Sequence, residues 1–253
     1  MKPLPQESRA LEADDAGRLC RYAEPVDTAY RTVWHLQQEM VAARNDGRLD
    51  TDLLLLLEHP PVFTIGRRGG LENLTVSEAF LKQKGIEVVH IERGGDITYH
   101  GPGQIVGYPI IKLRNSRLSV VDYVGKLERL MIRTAAEFGV QAQVDPRNRG
   151  AWVGNSKLGS IGIAVRRGVS FHGFALNVNT ELEPFGWVNP CGLQGVGITS
   201  LAAINGQVLP MQAVRTAVCK FFRETLNFQL EAVTMRQLRR YLGPRSVAEK
   251  DAE

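Results

Sequence analysis

The sequence predicts an α+β fold built on a largely antiparallel sheet. Three observations carry this. Segments with helical and with strand periodicity are mixed along the chain. The central strands follow one another through turns too short to hold helical crossovers. The length of 253 residues allows one large domain or two small ones at about 150 residues per domain, and no Pro/Ser-rich linker divides the middle.

The elements follow in order. Asp27 is placed to cap a helix whose apolar positions Tyr30, Val33, Trp34, Met40 and Val41 share one face, with Gly47 past its end. Leu53 to Leu57 is an unbroken apolar run bounded by polar residues and prolines, the pattern of a strand covered on both faces. A short strand through Val62 to Ile65 precedes Thr75-Val76-Ser77-Glu78, a capping-box pattern for a short helix closed by Gly85. Ile86 to Glu92 and Gln104 to Leu113 alternate as strands on either side of a glycine-rich turn. Ser119 opens the longest helical pattern, with Val120, Val124, Leu127, Leu130, Met131 and Phe138 inward and Gly139 at its end. Residues 151 to 179 read as three strands, the last two joined at Arg166-Arg167-Gly168. Pro210 opens a final helix with Met211, Val214, Val218, Phe221 and Phe222 on its core face. Residues 1–16 lack apolar periodicity and are expected to form a flexible arm; residues 246–253 form an acidic tail; residues 17–245 form the single folded domain.

Composition narrows the function. With 43% hydrophobic and 23% charged residues the chain needs neither disulfides nor a structural metal for stability. Cys20, Cys191 and Cys219 are odd in number and contain no Cys-x-x-Cys pair, which disfavours a disulfide framework and a zinc site and points to reduced thiols in the cytoplasm. No secretory signal opens the sequence, and the longest apolar run falls far short of the roughly 20 residues a membrane span needs. The net charge of +4 is scattered over arginine pairs without an aromatic-interleaved stripe, which fits acidic protein partners better than nucleic acid.

Three segments hold polar residues that a core would not choose. Arg93-Gly94-Gly95-Asp96-Ile97-Thr98-Tyr99-His100-Gly101-Pro102-Gly103-Gln104 has five glycines or prolines in twelve positions, so its backbone can approach a ligand closely. It lacks the Gly-Lys-Ser/Thr ending of a phosphate-cradling loop and opens no helix, so phosphate binding is not implied. The second segment, Gly154 to Ile163, puts Lys157 at the start of an apolar, glycine-rich strand that includes Ser160, Ile161 and Gly162. Such a lysine either snorkels to solvent or, once buried, becomes a proton carrier. In the third, Phe185 to Gly195, Cys191 lies between proline and glycine and belongs to no apolar face, unlike a core-filling thiol. His100 and His172 read either as hydrogen-bonded structural histidines or as proton carriers.

These segments resemble the lipoyl(octanoyl) transferase family. The likeness rests on the Arg93–Gln104 motif, on Lys157 in Lys-Leu-Gly-Ser-Ile-Gly, on His172-Gly173-Phe174-Ala175-Leu176-Asn177-Val178-Asn179 and on Pro190-Cys191-Gly192, in that order, with Lys157 and Cys191 34 positions apart. It spans about residues 20 to 230. Gly159 and Ser160 stand where the family often has alanines, a departure that bears on pocket width.

The resemblance implies a biotin/lipoate protein ligase-like fold and transfer of an octanoyl group from acyl carrier protein to a lysine of lipoyl domains. Those acceptors are the lipoyl domains of 2-oxoacid dehydrogenase E2 subunits and the glycine cleavage H protein. Cys191 would then be the acyl-thioester nucleophile and Lys157 its dyad partner. Arg93, Gly94, Gly95, Asp96, Ile97, Thr98, Tyr99 and His100 would line the acyl site with Ser160, Ile161 and Gly162 and with Gly173, Phe174 and Ala175. No ATP is expected, because converting a thioester to an amide runs downhill; no metal is expected either, and a monomer is expected. An eight-carbon chain calls for an apolar groove, to which Leu158, Ile161, Ile163 and Val165 are candidate contributors. Two alternatives are an ATP-dependent lipoate or biotin protein ligase, which would not require Cys191, and a non-catalytic acyl or lipoyl-domain binding module, against which the joint presence of Lys157 and Cys191 speaks.

Overall fold

In the computed structural model the described residues are 17–189 and 195–243. The expected arm, the acidic tail and Cys191 lie outside them. The run of leucines fixes the layering. Strand β2 (Asp52–Leu57) is buried throughout; Leu54 and Leu56 join one core while Leu53, Leu55 and Leu57 join another. Alternation along a strand sends neighbours to opposite faces, so a wholly apolar strand needs a layer on each side.

β2 belongs to an eight-stranded mixed sheet that also holds β1 (Arg18–Ala23), β6 (Gln104–Lys112), β7 (Gly150–Val153), β8 (Ser156–Arg166), β9 (Val169–Asn177), β10 (Gly197–Ile198) and β11 (Phe228–Ala232). Its order is β10-β8-β9-β6-β2-β1-β11, with β7 paired to β8. The centre is antiparallel as expected, while β1 runs parallel to both β2 and β11, and β10 parallel to β8. One face carries α3 (Val120–Glu137) and α5 (Met211–Leu226); the other carries α1 (Tyr30–Asn45) and α6 (Met235–Leu242). A separate three-stranded sheet, β4-β3-β5, is made of β3 (Val62–Ile65), β4 (Glu87–His90) and β5 (Ile97–His100), with α2 (Glu78–Gln83) beside it. A short α4 (Leu201–Asn205) completes the helices.

Several sequence expectations shift. Asp27 does not cap α1: the helix starts at Tyr30 after Ala29, and the Asp27 carboxylate accepts the Ala29 N–H at 3.0 Å, fixing the turn that leads in. The cap of α2 is Ser77, which accepts from Phe80 N–H; Thr75 instead donates its own N–H to Trp187 and its hydroxyl to Gly186. Val120, in the first turn of α3, is 47% exposed. The glycine-rich turn contains strand β5, and β1, β10, β11 and α6 have no counterpart in the sequence reading. The Arg166–Gly168 hairpin holds: Arg167 and Gly168 both take positive φ, at 50° and 80°, as a tight two-residue turn between twisted strands requires.

One defect in the sheet positions the site. β6 and β9 pair from Gln104 to Gly107 and again at Ile111 and Lys112, but three residues on each strand between these stretches are unpaired. Pro109 has no N–H to offer there, and opposite it His172 adopts φ 54°, donating its N–H to the Gln37 side chain at 2.8 Å instead of to β6. Gly173 follows: a Cβ on it would come within 2.1 Å of the Gly107 carbonyl oxygen, so only glycine lets the strands approach this closely.

Candidate active site

A cavity of about 440 Å³ opens between the end of the large sheet and the Arg93–His100 segment, a volume suited to a small organic group. β8 supplies Lys157, Ser160, Ile161, Gly162 and Ile163 to its wall, and β9 supplies His172, Gly173, Phe174 and Ala175. Across from them stand Arg93, Gly94, Gly95, Asp96, Ile97, Thr98 and His100. The turn is fastened to the strand by Gly94 N–H donating to the Ile163 carbonyl at 2.8 Å. The structure therefore brings together nearly all the described residues named for the acyl site.

Tyr99 is the exception. Alternation along β5 turns it away from the cavity into the small sheet's own core, where its ring meets Phe63 at 5.3 Å and Phe185 edge-on at 5.5 Å. Of the apolar candidates on β8, Ile161 and Ile163 face the cavity, while Leu158 is fully buried in the core under α3 and Val165 is 41% exposed.

Two charged residues at the wall are structural braces. The Arg93 guanidinium donates to the Thr64 hydroxyl and carbonyl, the latter at 2.7 Å, so the Arg93 stem faces Gly162 while its head holds β3. The Asp96 carboxylate accepts from Ile97 N–H at 2.6 Å and from the Asn73 amide at 2.8 Å, tying the glycine turn to the segment before α2.

The inner end of the cavity is ringed by Tyr30, Tyr108, His100 and His172. His59, just behind, has its Nδ1 2.6 Å from the Thr28 carbonyl, which can only accept, so Nδ1 carries the proton. A neutral ring then accepts from the Tyr108 hydroxyl at Nε2, 2.8 Å away, and the Tyr30 hydroxyl is hydrogen-bonded to that of Tyr108. His100 Nδ1 meets the Gln104 side-chain oxygen at 2.7 Å, and Gln104 donates on to Asn177. Burial pushes His59 down to about 4 and His100 down to about 3, so both rings are neutral at pH 7. His172 is lowered by the same cause, although Glu92 opposes it from 3.6 Å, a contact rather than a hydrogen bond.

Lys157 is at the other end. Its ammonium donates to the Asn148 side-chain oxygen at 2.7 Å and lies 5.3 Å from the centre of the Trp152 ring. Gly150, with φ 142°, leaves room for the lysine stem: a Cβ there would sit 2.9 Å from Lys157 Cε. Gly150 is paired with Ser160, so the side chain of Lys157 runs along its own strand toward the middle of the wall.

Cys191 lies outside the described residues, but both flanks of its segment reach the cavity, the downstream one beside Lys157. Upstream, Asn189 N–H donates to the Asn73 carbonyl at 2.8 Å, and Val188 lines the cavity. Downstream, the Gly195 carbonyl accepts from Asn155 at 2.6 Å, β10 pairs Ile198 with Lys157, and Val196 and Ile198 line the cavity. Sequence reasoning missed Asn148, Trp152, Arg68, Tyr30 and Tyr108 as cavity residues. Tyr30 was legible only as a core position of a helix, and nothing local distinguishes the others. Among the described residues no group of three or more His, Cys, Asp or Glu side chains could hold a metal ion, and no helix is long and apolar enough to cross a membrane.

Comparison with known proteins settles the family. Residues 29–223 match the lipoyl protein ligase A/B catalytic domain. An octanoyltransferase of Desulfotalea psychrophila is 60% identical over 177 residues, covering 69% of this chain and 79% of the relative; one of Desulforamulus reducens is 40% identical, covering 85% and 94%. The chain belongs to the octanoyltransferase family. It is therefore a transferase, and the expected resemblance holds. Solved structures show the fold: a lipoate-protein ligase A bound with ATP superposes with a TM-score of 0.69 at 17% identity, covering 89% of this chain and 92% of the other. A bipartite lipoate protein ligase from Thermoplasma acidophilum gives 0.68 at 17% identity, covering 89% and 90%. The octanoyltransferase relatives thus share this chain's sequence far more closely than the ligases that share its fold.

Proposed function

We propose that this octanoyltransferase moves an octanoyl group from acyl carrier protein to the lysine of lipoyl domains, through a thioester on Cys191 with Lys157 as its partner. The observation that carries the reading is the placement of Lys157. It stands at one end of an apolar-walled cavity that both flanks of the Cys191 segment help to line. The acceptors are lipoyl domains of 2-oxoacid dehydrogenase E2 subunits and the glycine cleavage H protein, in the cytoplasm, with the enzyme acting as a monomer.

A cysteine thiol of ordinary pKa, about 8.5, is only a few per cent thiolate at neutral pH, so attack needs an activating cation. Lys157 supplies it in a region that Arg147 and Arg149 also line. The Cys191 thiolate attacks the octanoyl thioester carbonyl; the carbon–sulfur bond to the carrier breaks, and the carrier thiolate leaves and takes up a proton. The neutral amine of the acceptor lysine then attacks the Cys191 thioester, the amide forms, and the cysteine sulfur departs. Lys157, in its neutral form, removes the proton from the incoming amine. Neither half needs nucleotide, since the sum exchanges a thioester for an amide.

The test is intact-mass measurement after mixing with octanoyl carrier protein and no nucleotide. A single octanoyl adduct is expected, lost in Cys191→Ser. A strict ATP requirement for transfer would favour the ligase reading, and the absence of any adduct would favour a binding module.

A further inference from the structure

Lys157 is held by a loop whose Asn148 the mechanism above leaves unused. The loop, residues 145–150, is tied down at each step. The Asp145 carboxylate accepts from Arg147 N–H at 2.8 Å and from the Arg147 guanidinium. The Asn148 carbonyl accepts from the Trp152 indole at 3.0 Å. Gly150 N–H donates at 2.9 Å to Glu128, a buried carboxylate that also pairs with Arg149 at 3.1 Å. The Asn148 backbone is thus fixed from both sides, and its half-buried side chain projects to the lysine.

We propose that Asn148 is a positioning residue for the reaction, taking one hydrogen of the Lys157 ammonium on its side-chain oxygen and so fixing the direction in which the amine presents its remaining hydrogens. The inference rests on the reading of Lys157 as the proton carrier. Trp152 is the second half of the device. Its ring is the floor over which Lys157 and Arg147 both sit, at 5.3 and 5.4 Å from the centroid, and its indole holds Asn148 in place. A lysine stem has four rotatable carbons and large rotamer freedom, so an amine that must meet both a sulfur and an incoming amine gains from a fixed anchor.

The choice of an amide has a chemical consequence. A carboxylate at the same 2.7 Å would form an ion pair and keep the lysine protonated, disabling it as a base. A neutral acceptor orients the group without adding a second carboxylate to the attraction that Asp145, in the same loop, already exerts on it.

Two substitutions test this. Asn148→Asp keeps the shape and adds the charge; Asn148→Ala removes the anchor. The measurements are single-turnover transfer from the preformed Cys191 thioester to a lipoyl domain as a function of pH, and the pH dependence of Cys191 alkylation. Asn148→Asp is expected to move the midpoint of the transfer profile up by at least one pH unit and to raise the alkylation midpoint. Asn148→Ala is expected to lower the maximal single-turnover transfer rate tenfold or more, with little change in the lipoyl-domain concentration that gives half of it. Lys157→Ala is the control. If it abolishes transfer while both Asn148 variants keep the wild-type rate and midpoints, the positioning role is wrong and the lysine reading stands. If Lys157→Ala leaves transfer unchanged, the lysine reading falls and the role of Asn148 falls with it.

Discussion

The length of the acyl chain is the most direct probe of the cavity. Gly150, beside which the Lys157 stem passes, is in register with Ser160, and the inner end is at His172, in register with Ile163. Three strand residues at about 3.3 Å each give a slot of about 10 Å, close to the length of an extended eight-carbon chain. Each methylene withdrawn from water contributes about 0.8 kcal/mol, so hexanoyl should lose about 1.6 kcal/mol relative to octanoyl, roughly 15-fold in kcat/KM. Butanoyl should lose about 200-fold by the same slope. Decanoyl must push its last carbons against Tyr108 and His100, each locked by hydrogen bonds at 2.7 to 2.8 Å, and overpacking of this kind costs about 1 to 3 kcal/mol. A donor series from four to twelve carbons, on carrier protein, with transfer to a lipoyl domain measured below saturation, should therefore peak at eight. A profile that is flat, or that rises through twelve carbons, would show that the chain does not lie in this slot.

Two further outcomes follow from the buried ionisable groups. His59 and His100, held down at about 4 and about 3 by burial, bind fewer protons folded than unfolded below pH 6.5, so stability is lost as pH falls from there; each should remove up to about 2 kcal/mol by pH 5. Denaturant unfolding at pH 7 and pH 5 checks this, and equal free energies would contradict it. Asp52, buried in β2, holds Arg44 at 2.8 Å, the Lys112 N–H at 3.0 Å and the Arg18 guanidinium; Asp52→Asn should cost about 3 to 5 kcal/mol in unfolding free energy by leaving Arg44 buried and unpaired, and a change below 1 kcal/mol would refute that.

What the sequence made legible divides along physical lines. Elements with strong periodicity or glycine punctuation were readable: the leucine run of β2, the Ser119 cap of α3, the Arg167–Gly168 turn and the apolar face of α5. The β1–β2 and β1–β11 pairings were not, because parallel neighbours far apart in the chain leave no local trace. Glycine-rich motifs marked the cavity wall, since close approach of backbone to ligand needs residues a core would avoid. They did not mark Tyr99 as a core residue, because the β5 alternation is hidden within a segment that reads as a turn. Nor did they mark Asn148, whose importance comes from a contact with Lys157 across nine positions of chain.

The inner end of the slot also explains why a protein would tolerate a broken ladder in the middle of its main sheet. An intact β6–β9 pairing would hold His172 to the regular strand alternation; the interruption at Pro109 lets it take a positive φ, and His172, Gly173, Phe174 and Ala175 then all reach the cavity in succession. A histidine in the left-handed region costs about 1 to 2 kcal/mol, partly offset by the Gln37 hydrogen bond to its N–H. Around it the sheet is closed on both sides by full apolar cores, so the defect stays local. Because His59 and His100 are neutral, with both His59 nitrogens turned to Thr28 and Tyr108 and His100 Nδ1 turned to Gln104, the wall can meet a methyl terminus without charge. The polar residues at the end of a slot for a hydrocarbon tail thus give it a rigid, uncharged stop.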